Sequence, residues 1–124
     1  MKQLPSMEHE FSINVVGSET QKVFAGSFGY KRPNLGVRRQ IKTTEARLNE
    51  DVNLDEEVKA LNTMLSWLQF TLTSYPTDWW KGGWDMYDFN VILEIWENIM
   101  EFEKQFQDKL IKIGEEDETK SSDE

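Results

Sequence analysis

The sequence predicts an α+β fold, mainly α: an N-terminal β-hairpin, three amphipathic helices and a disordered acidic C-terminal tail. Three observations carry this expectation. Phe11, Ile13 and Val15 alternate with Ser12 and Asn14, the two-residue period of a half-buried strand. Leu54, Val58, Leu61, Leu65, Leu68 and Leu72 recur every three or four positions, the period of one helix face. The last ten residues, EEDETKSSDE, hold six acids, one lysine and no apolar side chain, too polar to bury anything.

Each element follows in order. Residues 1–9 are polar and read as a flexible lead-in, so His9 is expected there. Residues 10–30 form the hairpin, with turn chemistry at Gly17–Ser18 and a second strand through Val23, Phe24, Phe28 and Tyr30. Gly26 and Gly29 weaken that strand and suggest a bulge. Asn34 after Pro33 is a good N-cap for a helix over about 35–48, whose narrow stripe is Val37, Ile41, Thr44 and Leu48. A polar hinge, Asn49 to Asn53, leads into the second helix, about 54–74. Asn53 and Glu56 have capping-box spacing there, and Pro76 limits its end. Met64 and Trp67 widen its apolar face. Residues 76–85, PTDWWKGGWD, form a tryptophan loop. The third helix runs over about 86–113, with Asp85 as its cap. Its apolar rows are Phe89, Leu93, Trp96, Met100 and Ile92, Ile99, Phe102, Phe106, Leu110, Ile113. It is too long for the rest of the domain to cover, so its C-terminal half should protrude or meet another subunit. Gly114 is expected to end it, and residues 10–114 make one domain.

Composition narrows the function. The chain has 124 residues, enough for a single domain, and a formal net charge of −9. It has no cysteine, which removes disulfides, thiolate metal sites and thiol nucleophiles, and only one histidine. No apolar run reaches the roughly 18 residues of a membrane span, and no signal-peptide core precedes the domain. The expectation is a soluble, cytoplasmic, non-enzymatic protein with no cofactor, no metal, no nucleic acid and no membrane partner. Helical carboxylates such as Asp85, Asp88, Glu94, Glu97 and Glu101 read as a solvated face. Glu103 lies within an apolar stripe, so it either pairs with a basic residue at the stripe's edge or faces an interface.

Two features point to protein binding. Residues 31–47 carry six basic side chains against Glu45 alone, a net +5, while the remainder of the chain sums to −14. Arg38 and Arg39 are therefore expected to meet an acidic partner or acidic faces of the same protein; a nucleic acid would be repelled by the rest of the chain. The loop with Trp79, Trp80 and Trp84 either offers interface aromatics or folds back to plug the small core. Trp67 and Trp96, on helix stripes, belong to the core. The expected contact set is Trp79, Trp80, Trp84, Phe102, Phe106, Arg38 and Arg39. On that footing, replacing Trp79 and Trp80 by Ala should abolish partner capture and leave the circular dichroism spectrum intact.

Several short segments occur in a familiar order: Phe24-Ala25-Gly26, Pro33-Asn34-Leu35-Gly36, Ala46-Arg47-Leu48-Asn49, a Leu-rich helix ending at Pro76, Trp79-Trp80, Tyr87-Asp88, Trp96-Glu97, and Phe102-Glu103 with Phe106. Over residues 24–106 the chain resembles the tail-assembly chaperones of long-tailed bacteriophages, in their short form. The resemblance implies a mainly helical protein that binds the tape-measure protein, helps recruit tail-tube protein and can form a homo-oligomer. It implies action in the host bacterial cytoplasm and absence from the mature virion. The competing readings are a structural virion protein, such as a head–tail connector or minor tail component assembling as a ring, and an acidic inhibitor of a host nuclease or polymerase.

Overall fold

The structure, a computed structural model, describes residues 4–50 and 53–122, with side chains as far as Glu115. Among the described residues the order is β1 (Glu8–Val16), β2 (Val23–Lys31), α1 (Leu35–Leu48), α2 (Glu56–Thr71), β3 (Leu72–Ser74) and α3 (Phe89–Ser122). The chain is α+β, mainly α, as the patterning predicts.

The strands form one antiparallel sheet in the order β1-β2-β3. Phe11 lies opposite Phe28, Ile13 opposite Gly26 and Val15 opposite Phe24, so one sheet face is apolar. The opposite face pairs small polar residues, with Ser12 and Ser27 hydroxyls 2.9 Å apart. The expected irregularity appears at one of the two suspected glycines. The β1–β2 ladder runs unbroken through Gly26, while the β2–β3 register shifts between Gly29 and Tyr30.

The apolar sheet face closes on α2 and α3. Ile13, Phe28 and Tyr30 join Met64, Leu65 and Leu68 of α2, and Val91, Ile92, Ile95 and Ile99 of α3 in one core. Trp67 and Trp96 pack against its edge, ring to ring at 6.3 Å and nearly perpendicular. α1 lies outside this cluster, against α2. Ile41 is its fully buried residue, and Asn62 of α2 donates to the Leu48 carbonyl (3.3 Å) and the Asn49 side chain (2.8 Å).

Several boundaries differ from the sequence expectation, each for a local reason. β1 starts at Glu8, so His9 is a strand residue and not part of a loose lead-in. Its ring stacks on Phe102 at 4.7 Å and 4°. Asn34 caps α1 as expected, accepting from the Val37 N–H at 2.9 Å. The cap of α2 is Asp55, not Asn53: its carboxylate accepts from the Val58 N–H at 2.8 Å, a bond of about 1 kcal/mol. α2 ends at Thr71, before the expected 74, because Leu72 turns extended and the next residues pair with β2 as a third strand. α3 starts at Phe89, three residues after Met86, so Asp85 is not its cap; Asp88, just before it, gives its carboxylate to the hairpin loop. Its helical backbone continues past Gly114 to Ser122. The expected disordered tail thus overlaps helical backbone as far as Ser122, and residues 123–124 lie outside the described residues. Residues 1–3 of the lead-in and 51–52 of the hinge lie outside them too.

The hairpin loop is tied to the start of α3. Glu19 and Thr20 N–H groups donate to Asp88 Oδ1 at 2.7 and 2.9 Å, and the Thr20 hydroxyl donates to Oδ2 at 2.7 Å. Asn90 accepts from the Ser18 N–H and donates to the Val16 carbonyl, both at 2.9 Å. Gly17 makes room: a Cβ there would fall 2.6 Å from either Asp88 oxygen. Burial alone would raise the Asp88 pKa, but donation from the Thr20 hydroxyl and from the Thr20 and Glu19 amides outweighs it, and the net shift is downward from 3.8. The clamp therefore contributes its full stability above that value and loses it as the pH falls through the lowered pKa. In an NMR pH titration the Glu19 and Thr20 amide resonances are expected to move with a midpoint below 3.8, and Asp88→Ala should abolish that titration.

Candidate protein-binding surfaces

The tryptophan loop folds mostly inward. Pro76 packs against Gly26, and the Trp80 N–H closes a turn on the Pro76 carbonyl at 3.0 Å. Trp80 is 4% exposed, set edge-on to Phe28. Trp79 is half-buried; its indole N–H donates to the Ala25 carbonyl at 3.1 Å and its ring meets Phe24 at 5.1 Å. Gly83 permits this turn: its φ is +91°, and a Cβ would stand 2.7 Å from Leu65 and 3.0 Å from Trp80. Of the three loop indoles, only Trp84 is exposed, at 51%.

The expected contact set therefore divides. Trp80 and Phe106, 4% and 3% exposed, are core residues, which corrects their assignment as contacts. Trp79 and Phe102 are partly buried and pack against the core. Trp84, Arg38 and Arg39 lie on the surface. The Trp79/Trp80 double alanine variant would consequently strike the fold as well as any partner.

Glu103 does pair with a basic residue. Its Oε2 accepts from Arg32 Nε at 2.7 Å and its Oε1 from the Tyr30 hydroxyl at 2.5 Å. The Trp67 indole N–H donates to the Tyr30 oxygen at 3.1 Å, and the Arg32 guanidinium lies 3.8 Å over the Phe106 ring. Burial, reinforced by the bond to Glu103, pushes the Tyr30 phenol well above its ordinary 10.0. It stays protonated and so keeps donating. This network locks β2, α2 and α3 together at one edge of the core.

A groove of about 440 Å³ opens beside that network, between α1 and α3. Trp67, Met100, Glu103 and Gln107 line it together with Arg32, Arg38, Lys42 and Lys104. Arg32 is held by Glu103, and Lys42 reaches Glu45 only at 3.4 Å with an exposed ammonium. Arg38 and Lys104 have no ion pair among the described residues. The +5 patch announced Arg38 and Lys42. Trp67 and Met100 read in the sequence as core-facing stripe residues of other helices; that they meet the α1 cations and Lys104 in one groove is a tertiary fact.

A second surface lies at the far end of α3. Phe106 is the last fully buried residue of its stripe; beyond it Leu110 of the stripe is 37% exposed and Ile113 is partly buried, while Ile111, off the stripe, is 58% exposed. Among the described residues, no group of His, Asp or Glu side chains could hold a metal ion, and no helix is long and apolar enough to cross a membrane. No family model, curated protein or solved structure matches the chain.

Proposed function

We propose that this protein is a non-enzymatic tail-assembly chaperone of a long-tailed bacteriophage, binding the tape-measure protein and helping to bring tail-tube protein to it. The resemblance over residues 24–106 supplies the kind of partner. The observation that carries the reading is α3, which keeps exposed apolar side chains beyond the part of it that the core covers. Leu110 and Ile111 sit on helix beyond the core, on a chain whose charge of −9 keeps such a surface soluble. An amphipathic helix with an open apolar face is suited to pairing with the long helix of a tape-measure protein.

The test is co-expression with the tape-measure protein of the same phage, followed by affinity capture. The wild-type chain is expected to retain it. Leu110→Asp with Ile111→Asp should lose it while the circular dichroism spectrum is unchanged, because both side chains are exposed. Undiminished capture by that variant would remove α3 from the binding surface. Mass spectrometry of purified particles separates the structural-protein reading, which requires the chain in the virion at fixed copy number.

A further inference from the structure

We infer that the groove between α1 and α3 is a docking site for an acidic, helical peptide segment of a partner protein. The inference deepens the chaperone reading and rests on it for the partner being a protein that must be held. The groove itself supplies the chemistry.

Its lining combines apolar side chains with cationic ones. Trp67 and Met100 offer a flat ring and an adaptable thioether, which together suit one large aliphatic side chain. Arg38 and Lys42 are four residues apart on α1, so they project from one face about 6 Å apart. Lys104 stands on α3, on the other wall. The groove's acidic residue, Glu103, is engaged at both oxygens by Tyr30 and Arg32. It therefore leaves Arg38 and Lys104 without an ion pair among the described residues, while Lys42 is held by Glu45 at 3.4 Å. A helix carrying carboxylates at i and i+4 around one leucine would match Arg38 and Lys42 in spacing, place a third carboxylate against Lys104, and seat its leucine on Trp67.

Charge also argues for a peptide over a nucleic acid. The +5 patch is local, and the other residues sum to −14. A continuous polyanion would run from the groove onto that repulsive surface, whereas a peptide can confine its acids to one turn or two.

The experiment uses the full chain, ¹⁵N-labelled, with the Trp67 indole N–H resonance assigned through Trp67→Phe. The probe is a synthetic helix of about four turns, ~15 residues, with one leucine per turn flanked by glutamates. Controls are the same peptide with lysines for glutamates, and a short oligothymidylate. The glutamate peptide is expected to shift the Trp67 signal. Arg38→Glu with Lys104→Glu should weaken binding by about tenfold or more, the scale of lost charge-assisted contacts. In that variant the Trp79, Trp80 and Trp84 indole signals, whose rings lie away from the groove, should stay in place and report an intact fold. Equal binding by the lysine peptide, a stronger Trp67 shift from the oligonucleotide, or full affinity in the charge-reversed variant would overturn the assignment. The two readings fail separately. Loss of tape-measure capture with retained binding of the glutamate peptide removes the chaperone role and leaves the groove. Full tape-measure capture by the Arg38/Lys104 variant removes the groove as its site and leaves the chaperone.

Discussion

Replacing Trp80 by Ala is expected to cost about 3–5 kcal/mol, enough to unfold much of a domain of ordinary stability. The indole is 4% exposed and touches Phe28 of the sheet edge-on. It also stands next to Gly83, whose left-handed backbone packs the loop on Leu65. Removing it leaves a hole between loop and sheet that Trp79, anchored to the Ala25 carbonyl, cannot fill without breaking its own bond. Urea denaturation should show a lower midpoint at nearly unchanged slope. Trp84→Ala is the matched control: its ring is half in water, and its loss should move the midpoint little. A Trp80→Ala protein with wild-type stability would mean that the loop does not plug the core.

Glu103→Ala should be the other large loss, about 3 kcal/mol. That is the low end for breaking a buried ion pair, since the Arg32 and Glu103 side chains keep 11% and 17% of their surface in water. The variant leaves a guanidinium on Phe106 without its carboxylate, and the Tyr30 hydroxyl without an acceptor. Glu103→Gln keeps an acceptor for the Tyr30 hydroxyl but turns an amide N–H toward Arg32 Nε, so it loses the charge and the Arg32 bond; it should fall between wild type and Ala in the same denaturation series. The pH profile adds a check. Because the Tyr30 pKa is raised on folding, the protonated phenol contributes fully below 10.0, and that contribution fades as the pH rises through the folded-state value. Alkaline unfolding of the wild type should therefore include a component that Tyr30→Phe removes.

The parts of the fold legible in the sequence are those set by local pattern. Strand alternation placed the hairpin, Asn34 placed the start of α1, and the leucine spacing placed the buried face of α2. The parts that escaped depend on what the chain meets elsewhere. Leu72–Ser74 is too short to signal a strand and becomes one because β2 offers an edge. Asp88 looks like a first-turn acid of α3 and instead serves a loop some seventy residues upstream. Trp79 and Trp80 carry no mark of their burial, which depends on Gly83 taking a positive φ beneath Leu65. A carboxylate in an apolar stripe needs a partner, and of the two options open to Glu103 the structure has the basic one, Arg32. The groove could be half seen: α1 advertises its cations, and nothing in the sequence says that Trp67 and Met100 lie between them and Lys104.

The sheet's apolar side has a consequence for biosynthesis. Of its two covering helices, α3 is the last of the described elements, and bonds between the hairpin and α3 join residues 71 to 74 positions apart. While the ribosome is still extending the chain, the hairpin has already emerged, with Phe11, Ile13 and Phe28 wet. Closure must await release of α3, so the nascent protein passes through an interval in which it is itself prone to stick. Ribosome-stalled chains ending before Phe89 should be protease-sensitive throughout the hairpin, and chains long enough to free Phe106 from the exit tunnel should not.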